Sequence, residues 1–141
     1  MTAEEDVNFN SGMSAFEAKD FVRAMHFLLP FAENGDASAQ HRVSIMLQNG
    51  LGTVRNEVHA FRWMKAAAEQ GYAVAQHGLG FMYMEGECTD QNLEKAVHWF
   101  TEAANQGLAG SQTTLGMMYE EGKGVEKDPE QARLWYSRAG F

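Results

Sequence analysis

What this chain lacks narrows its class before any motif is considered. Cys88 is the single cysteine among 141 residues, so no internal disulfide can form, which fits a reducing compartment. Basic residues are few: 11 Lys and Arg stand against 19 Asp and Glu, for a net charge of −8 and a pI near 5.0. That balance opposes binding along a phosphate backbone, which needs clustered positive charge. No window approaches the roughly 18 apolar residues of a membrane span. The opening MTAEEDVNFNSG has neither the basic region nor the apolar run of a secretory signal. These absences lead to the expectation of a cytoplasmic chain with no nucleic-acid or membrane partner. A chain whose signal had been removed would read the same, and would then be periplasmic or secreted. HExxH, GxSxG, SxxK and the dinucleotide fingerprint are all missing, so the chain is expected to be non-catalytic, with no cofactor and no metal.

What the chain has is a repeat. The blocks beginning at Ala37, Ala73 and Ala109 align without a gap at a period of 36 residues, and the first two agree at 14 positions. Seven positions are common to all three: Ala37/73/109, Gln40/76/112, Met46/82/118, Gly50/86/122, Ala60/96/132, Trp63/99/135 and Ala67/103/139. Self-similarity at such a period is the signature of a stacked array. Each block reads as helix, turn, helix. Leu79, Met82, Tyr83 and Gly86 share one helical face, as do Ala96, Trp99, Phe100 and Ala103. The turn ends in Asn56, Asn92 or Asp128, residues whose side-chain oxygen suits a helix N-cap. At Asp128 the helix start is reinforced by Pro129 and Gln131. Gly35, Gly71 and Gly107 suit the left-handed residue that ends a second helix.

The repeat also disposes of a tempting motif. Gly122-Lys123-Gly124 resembles the start of a phosphate-cradling loop, but a P-loop needs GxxxxGK[ST] between a strand and a helix. Here the equivalent positions are Gly50-Leu51-Gly52 and Gly86-Glu87-Cys88. A shared corner between helices explains all three copies.

The residues at this point resemble a known family. Leu115, Gly116, Tyr119, Gly122, Gly124, Val125, Asp128, Ala132, Trp135 and Ala139 reproduce almost completely the pattern of the Sel-one-like repeat, a relative of the tetratricopeptide repeat. The block from Ala73 departs at Cys88, Thr89 and Asn92. The block from Ala37 departs further, with Val43, Ser44 and Leu47. The segment with Gly12, Asp20, Phe21, Ala24, Phe27 and Pro30 fits as a first unit lacking four loop residues, as in a tetratricopeptide repeat. The resemblance implies an all-α fold: a right-handed α-α superhelix, or solenoid, of about four helix-turn-helix repeats. It would form a single domain over 1–141, with units 1–36, 37–72, 73–108 and 109–141. It also implies a protein-binding scaffold or adaptor, by analogy of fold. Some cysteine-rich secreted relatives have been linked to β-lactam chemistry. They carry a disulfide across each helix pair, which this sequence cannot form.

In tetratricopeptide-type arrays the first helix of each pair lines the concave face. Carried over by register, the partner-binding positions are Phe9, Met13 and Phe16, then His41, Ile45 and Gln48, then His77, Phe81 and Met84, then Thr113, Met117 and Glu120. Seven of the twelve are Phe, Met or Ile. A contiguous apolar patch on an acidic surface marks an interaction site, and Met suits variable partners. The expectation is a groove for an apolar or amphipathic peptide, rimmed by Glu85, Glu120 and Glu121. The alternative is that tight curvature packs these side chains against one another.

Other candidates read as structure. Trp63, Trp99 and Trp135, beside shared alanines, read as core, and Met46, Met82 and Met118 as packing. His41 and His77 occupy equivalent places, and two imidazoles suit zinc. The third copy is Thr113 and no further ligand falls in register, so a partner-contacting or exposed histidine pair is the better reading. Cys88 sits between Glu87 and Asp90, which oppose a reactive thiolate. No polar capping helix follows RAGF, so Leu134, Trp135 and Tyr136 are expected to be partly exposed. A second copy, a longer parent chain or another partner would cover them. Self-assembly into a homo-oligomer through this end is therefore the competing function.

Overall fold

Side-chain caps at Asn56, Asn92 and Asp128 set where the second helix of each later pair begins. Asn56 Oδ1 accepts from the backbone N–H of His59 at 3.0 Å, and Asn92 Oδ1 from that of Lys95 at 3.0 Å. Asp128 Oδ1 accepts from Glu130 and Gln131, each at 3.1 Å. The computed structural model describes residues 1–141 and is all helical: α1 (Ala3–Glu17), α2 (Phe21–Glu33), α3 (Ala37–Asn49), α4 (Glu57–Glu69), α5 (Ala73–Glu85), α6 (Leu93–Asn105), α7 (Ala109–Glu121) and α8 (Pro129–Arg138). The odd-numbered helices are the first members of four pairs. Residues 18–20 join α1 to α2, whereas 50–56, 86–92 and 122–128 join the later pairs. The four-residue deletion read from the first unit is this shorter connection.

The Gly-Lys-Gly corner is a helix stop. Gly122 caps α7 in the left-handed region with φ 70°. The backbone N–H of Lys123 donates to Met118 O at 2.8 Å, and that of Asp128 to Tyr119 O at 2.9 Å. These amides close the corner and do not face a phosphate. Gly124 also has a positive φ, and a Cβ there would lie 2.6 Å from Leu93 O. The loop thus seats on the start of α6.

Contacts divide the chain into Met1–Ala67 and Ala68–Phe141. In the first unit, Ala15, Ala24, Leu28, Ala32, Ala39, Val43 and Met46 form the core. Ser44, which stands where later copies have glycine, is fully buried, and its hydroxyl donates to Ala60 O at 2.6 Å. In the second unit the core runs through Leu79, Met82, Ala96, Phe100, Leu115 and Met118. Helices within a pair approach closely because small residues face large ones: a Cβ on Gly80 would stand 2.8 Å from the Phe100 ring, and one on Gly116 2.6 Å from the Tyr136 ring.

Two of the three repeated tryptophans lie less deep than their place beside shared alanines suggests. Of the three tryptophans only Trp135 is buried, at 7% exposure, with the Arg138 guanidinium 4.6 Å above its ring. Trp63 and Trp99 are half-buried. The deepest side chain follows them by one residue, at Met64 and Phe100; the Phe100 ring faces Gly80 across the pair, while Trp63 packs against the core from its edge. The expected exposure of Trp135 is corrected by the same observation. Phe100→Ala should therefore cost about 3–5 kcal/mol, and Trp99→Ala clearly less. Denaturant unfolding of the two variants checks the order; equal losses would contradict it.

Candidate functional site

The twelve candidate positions divide sharply by burial. In Met1–Ala67, all six are half-buried. Phe9 packs edge-on against Phe31 with centroids 5.2 Å apart, and Phe16 against Phe21 at 5.7 Å. Arg42 covers the Phe16 ring at 5.6 Å, and Met13 rests on the core. Gln48 offers its carbonyl to Arg55 Nε at 3.0 Å. Phe9, Met13 and Phe16 are thus covered by α2, Arg42 and the core rather than by one another.

In Ala68–Phe141 the helical register leaves more surface. Phe81 and Met117, equivalent residues on α5 and α7, are 38% and 43% exposed. Phe81 stands edge-on to His77 and to Phe100, with centroids at 4.9 and 5.1 Å. Beneath them, His77 Nδ1 lies 2.6 Å from the hydroxyl of Ser111, which is fully buried. This contact joins α5 directly to α7 and holds the His77 ring as a prop for Phe81. Thr113 turns its hydroxyl back to Ala109 O at 3.0 Å. Met84 is a correction: it is buried at 5% exposure, at the end of α5 where the chain turns at Gly86 and Gln91 donates to the Met84 backbone carbonyl at 2.9 Å. Met84 presents no surface to a partner.

The rim is acidic. Glu85, Glu120 and Glu121 are all exposed. Glu120 has an internal role, since it accepts the Tyr136 hydroxyl. Burial, that hydrogen bond and the charges of Glu120 and Glu121 raise the Tyr136 pKa. Ser111 and Phe100, which support the face, escaped the register argument. Phe100 had a signal in its place one residue after the repeated Trp; Ser111 had none, since its equivalents are Ala39 and Ala75.

Elsewhere, an open cleft of about 730 Å³ lies along α1 and α2, lined by Glu5, Asn8, His26, Phe27 and Pro30 among others. It contains no nucleophile paired with a base. No group of three or more His, Cys, Asp or Glu is placed to hold a metal, and no helix is long and apolar enough to cross a membrane.

The molecule is a helical-repeat protein of paired helices, with the all-α fold expected from sequence. The Sel1 repeat family matches residues 14–36, 37–72, 73–108 and 109–140, and the chain belongs to it. The Sel1 repeat protein of Oxalobacter formigenes is 34% identical with a TM-score of 0.88, over 94% of this chain and 53% of that one. The c5321 protective antigen of uropathogenic Escherichia coli, which displays an SLR fold, is 34% identical with a TM-score of 0.89, over 96% of this chain and 30% of that one. Helicobacter pylori cysteine rich protein B shares the fold at 21% identity and a TM-score of 0.66, over 85% of this chain and 86% of that one. The chain spans about half and about a third of the first two structures. No curated protein matches it. Sel1 repeat proteins are generally non-catalytic scaffolds for protein interaction.

Burial also sets a pH response. Desolvation, helped by the Arg42 charge, lowers the His41 pKa from 6.5 to about 4, and burial lowers that of His77. Between pH 6.5 and 4 the unfolded chain holds a proton on His41 that the folded chain does not, so unfolding takes up a proton there. The contribution is complete above pH 6.5 and is lost as pH falls toward 4. Melting temperature should fall over that window, and His41→Gln should flatten the fall. An unchanged pH slope in the variant would contradict this.

Proposed function

We propose that the chain is a non-catalytic interaction module that receives a protein or peptide segment on the α5–α7 face. The observation that carries this reading is the pair Phe81 and Met117, exposed at the same repeat position on adjacent first helices. Large apolar side chains rimmed by polar ones favour a partner-binding surface. Both stand on rigid helices, with Phe81 propped by His77 and Phe100. An enzymatic reading gains no support from the same face, because the Ser111 hydroxyl beside His77 is fully buried and out of reach of a substrate. The test is capture from a lysate by the wild-type chain and by a Phe81→Asp, Met117→Asp variant of unchanged helical circular dichroism. Proteins retained by the wild type and lost by the variant are expected. Identical capture by both would refute this face.

A second reading, self-association, rests on α8 and the residues after it, where Leu134 is 43% and Phe141 84% exposed. It predicts a mass in solution that rises with concentration and reverts to that of one chain in a Leu134→Ser, Phe141→Ser variant. A concentration-independent single-chain mass would exclude it.

A further inference from the structure

Charge is not distributed evenly over the helices. The second helices α2, α4, α6 and α8 carry six acidic and six basic side chains. The first helices α1, α3, α5 and α7 carry seven acidic side chains against one basic, Arg42. Arg42 is itself engaged, lying over Phe16 and donating to Ser38 O at 3.1 Å. On α5 and α7 there is no Lys or Arg at all. The acids there are in register with the apolar side chains. Glu85 follows Phe81, and Glu121 follows Met117, by four residues, which places each carboxylate one turn along the same helix face. Glu17 follows Met13 in the same way, whereas Ile45 is followed by Asn49. The α5–α7 face therefore offers the same two-part feature twice: an exposed apolar side chain with an exposed carboxylate beside it.

Resting on the reading of this face as the binding surface, we propose that its occupant is an extended peptide carrying one apolar and one Lys or Arg side chain per repeat. The apolar residue would rest on Phe81 or Met117, and the neighbouring cation would meet Glu85 or Glu121. Register follows from packing. Contacting helices lie about 8–10 Å apart, His77 to Ser111 joins α5 to α7, and an extended chain in the polyproline II form advances about 3.1 Å per residue and returns to the same side every third residue. Successive apolar residues of the peptide should thus fall about three positions apart, each beside a cation. Charge complementarity on this rim sets partner choice and encounter rate more than bulk affinity, so the face rejects acidic segments of the same apolar pattern.

The test is selection of random dodecapeptides displayed on phage against the wild-type chain, followed by fluorescence anisotropy on the selected peptides. The expected sequences are enriched in Lys and Arg beside apolar residues three apart. Affinity should drop about tenfold or more in a Glu85→Lys, Glu121→Lys variant, and should weaken as NaCl rises from about 50 to about 500 mM. Both glutamates are exposed, so helical circular dichroism should be unchanged. Acidic or uncharged binders, no binders, or basic binders indifferent to the charge reversal would each overturn the proposal. The Phe81→Asp, Met117→Asp variant separates this from the broader reading. Neutral binders lost in that variant would leave the face standing and remove only the basic partner, whereas basic binders retained in it would remove both.

Discussion

The repeat depends on one buried hydrogen bond made three times. Gln40 Nε2 donates to Ala32 O at 3.1 Å, Gln76 Nε2 to Ala68 O at 3.3 Å and Gln112 Nε2 to Ala104 O at 3.1 Å. Each acceptor lies in the last turn of a second helix, where carbonyls lack intrahelical partners. Each also accepts a backbone N–H, from Gly35, Gly71 or Gly107, so the glutamine fills the remaining lone pair. A buried amide without such a partner would be costly, which makes the bond a specification of register as much as a source of stability. Gln106 extends it in the third unit, donating to Gln76 Oε1 at 2.8 Å and to Gly71 O at 2.9 Å. Once the start of each first helix is tied to the end of the preceding second helix, the outward direction of its side chains is fixed. Phe81 and Met117 then have no choice of face.

That constraint separates two jobs. The seam between helices takes small residues against large ones, as Gly80 meets Phe100 and Gly116 meets Tyr136. The free face of α5 and α7 is released from this packing and varies from copy to copy, as His77 and Thr113 or Phe81 and Met117 do. Its acid-only composition contrasts with the balanced charge of the second helices. A scaffold of this kind holds its frame constant and writes specificity on the residues the frame does not use.

Much of the fold was legible because the repeat places chemistry in register. Asn56, Asn92 and Asp128 were readable as caps, and Gly35, Gly71 and Gly107 as left-handed stops, since backbone requirements at helix ends admit few residue types. The depth of burial was less legible. Trp99 and Phe100 both belong to an apolar stripe, and repetition drew attention to the tryptophan while the ring facing Gly80 is the phenylalanine. The candidate face was legible in direction but not in access. Phe9, Phe16 and Met84 share its register with Phe81, yet the Phe31 and Phe21 rings cover the first two and Met84 is buried at the end of α5. Those covering contacts come from other helices and loops at distances that periodicity does not encode.

The central claim is that the first helices of the Ala68–Phe141 unit, and not the second, meet the partner. Hydrogen exchange of the chain with and without a captured partner or selected peptide tests it most directly. The account predicts new protection concentrated in 77–85 and 113–121, with the outer faces of α6 and α8 unchanged. Protection confined to α6 and α8, with α5 and α7 exchanging as in the free chain, would contradict it.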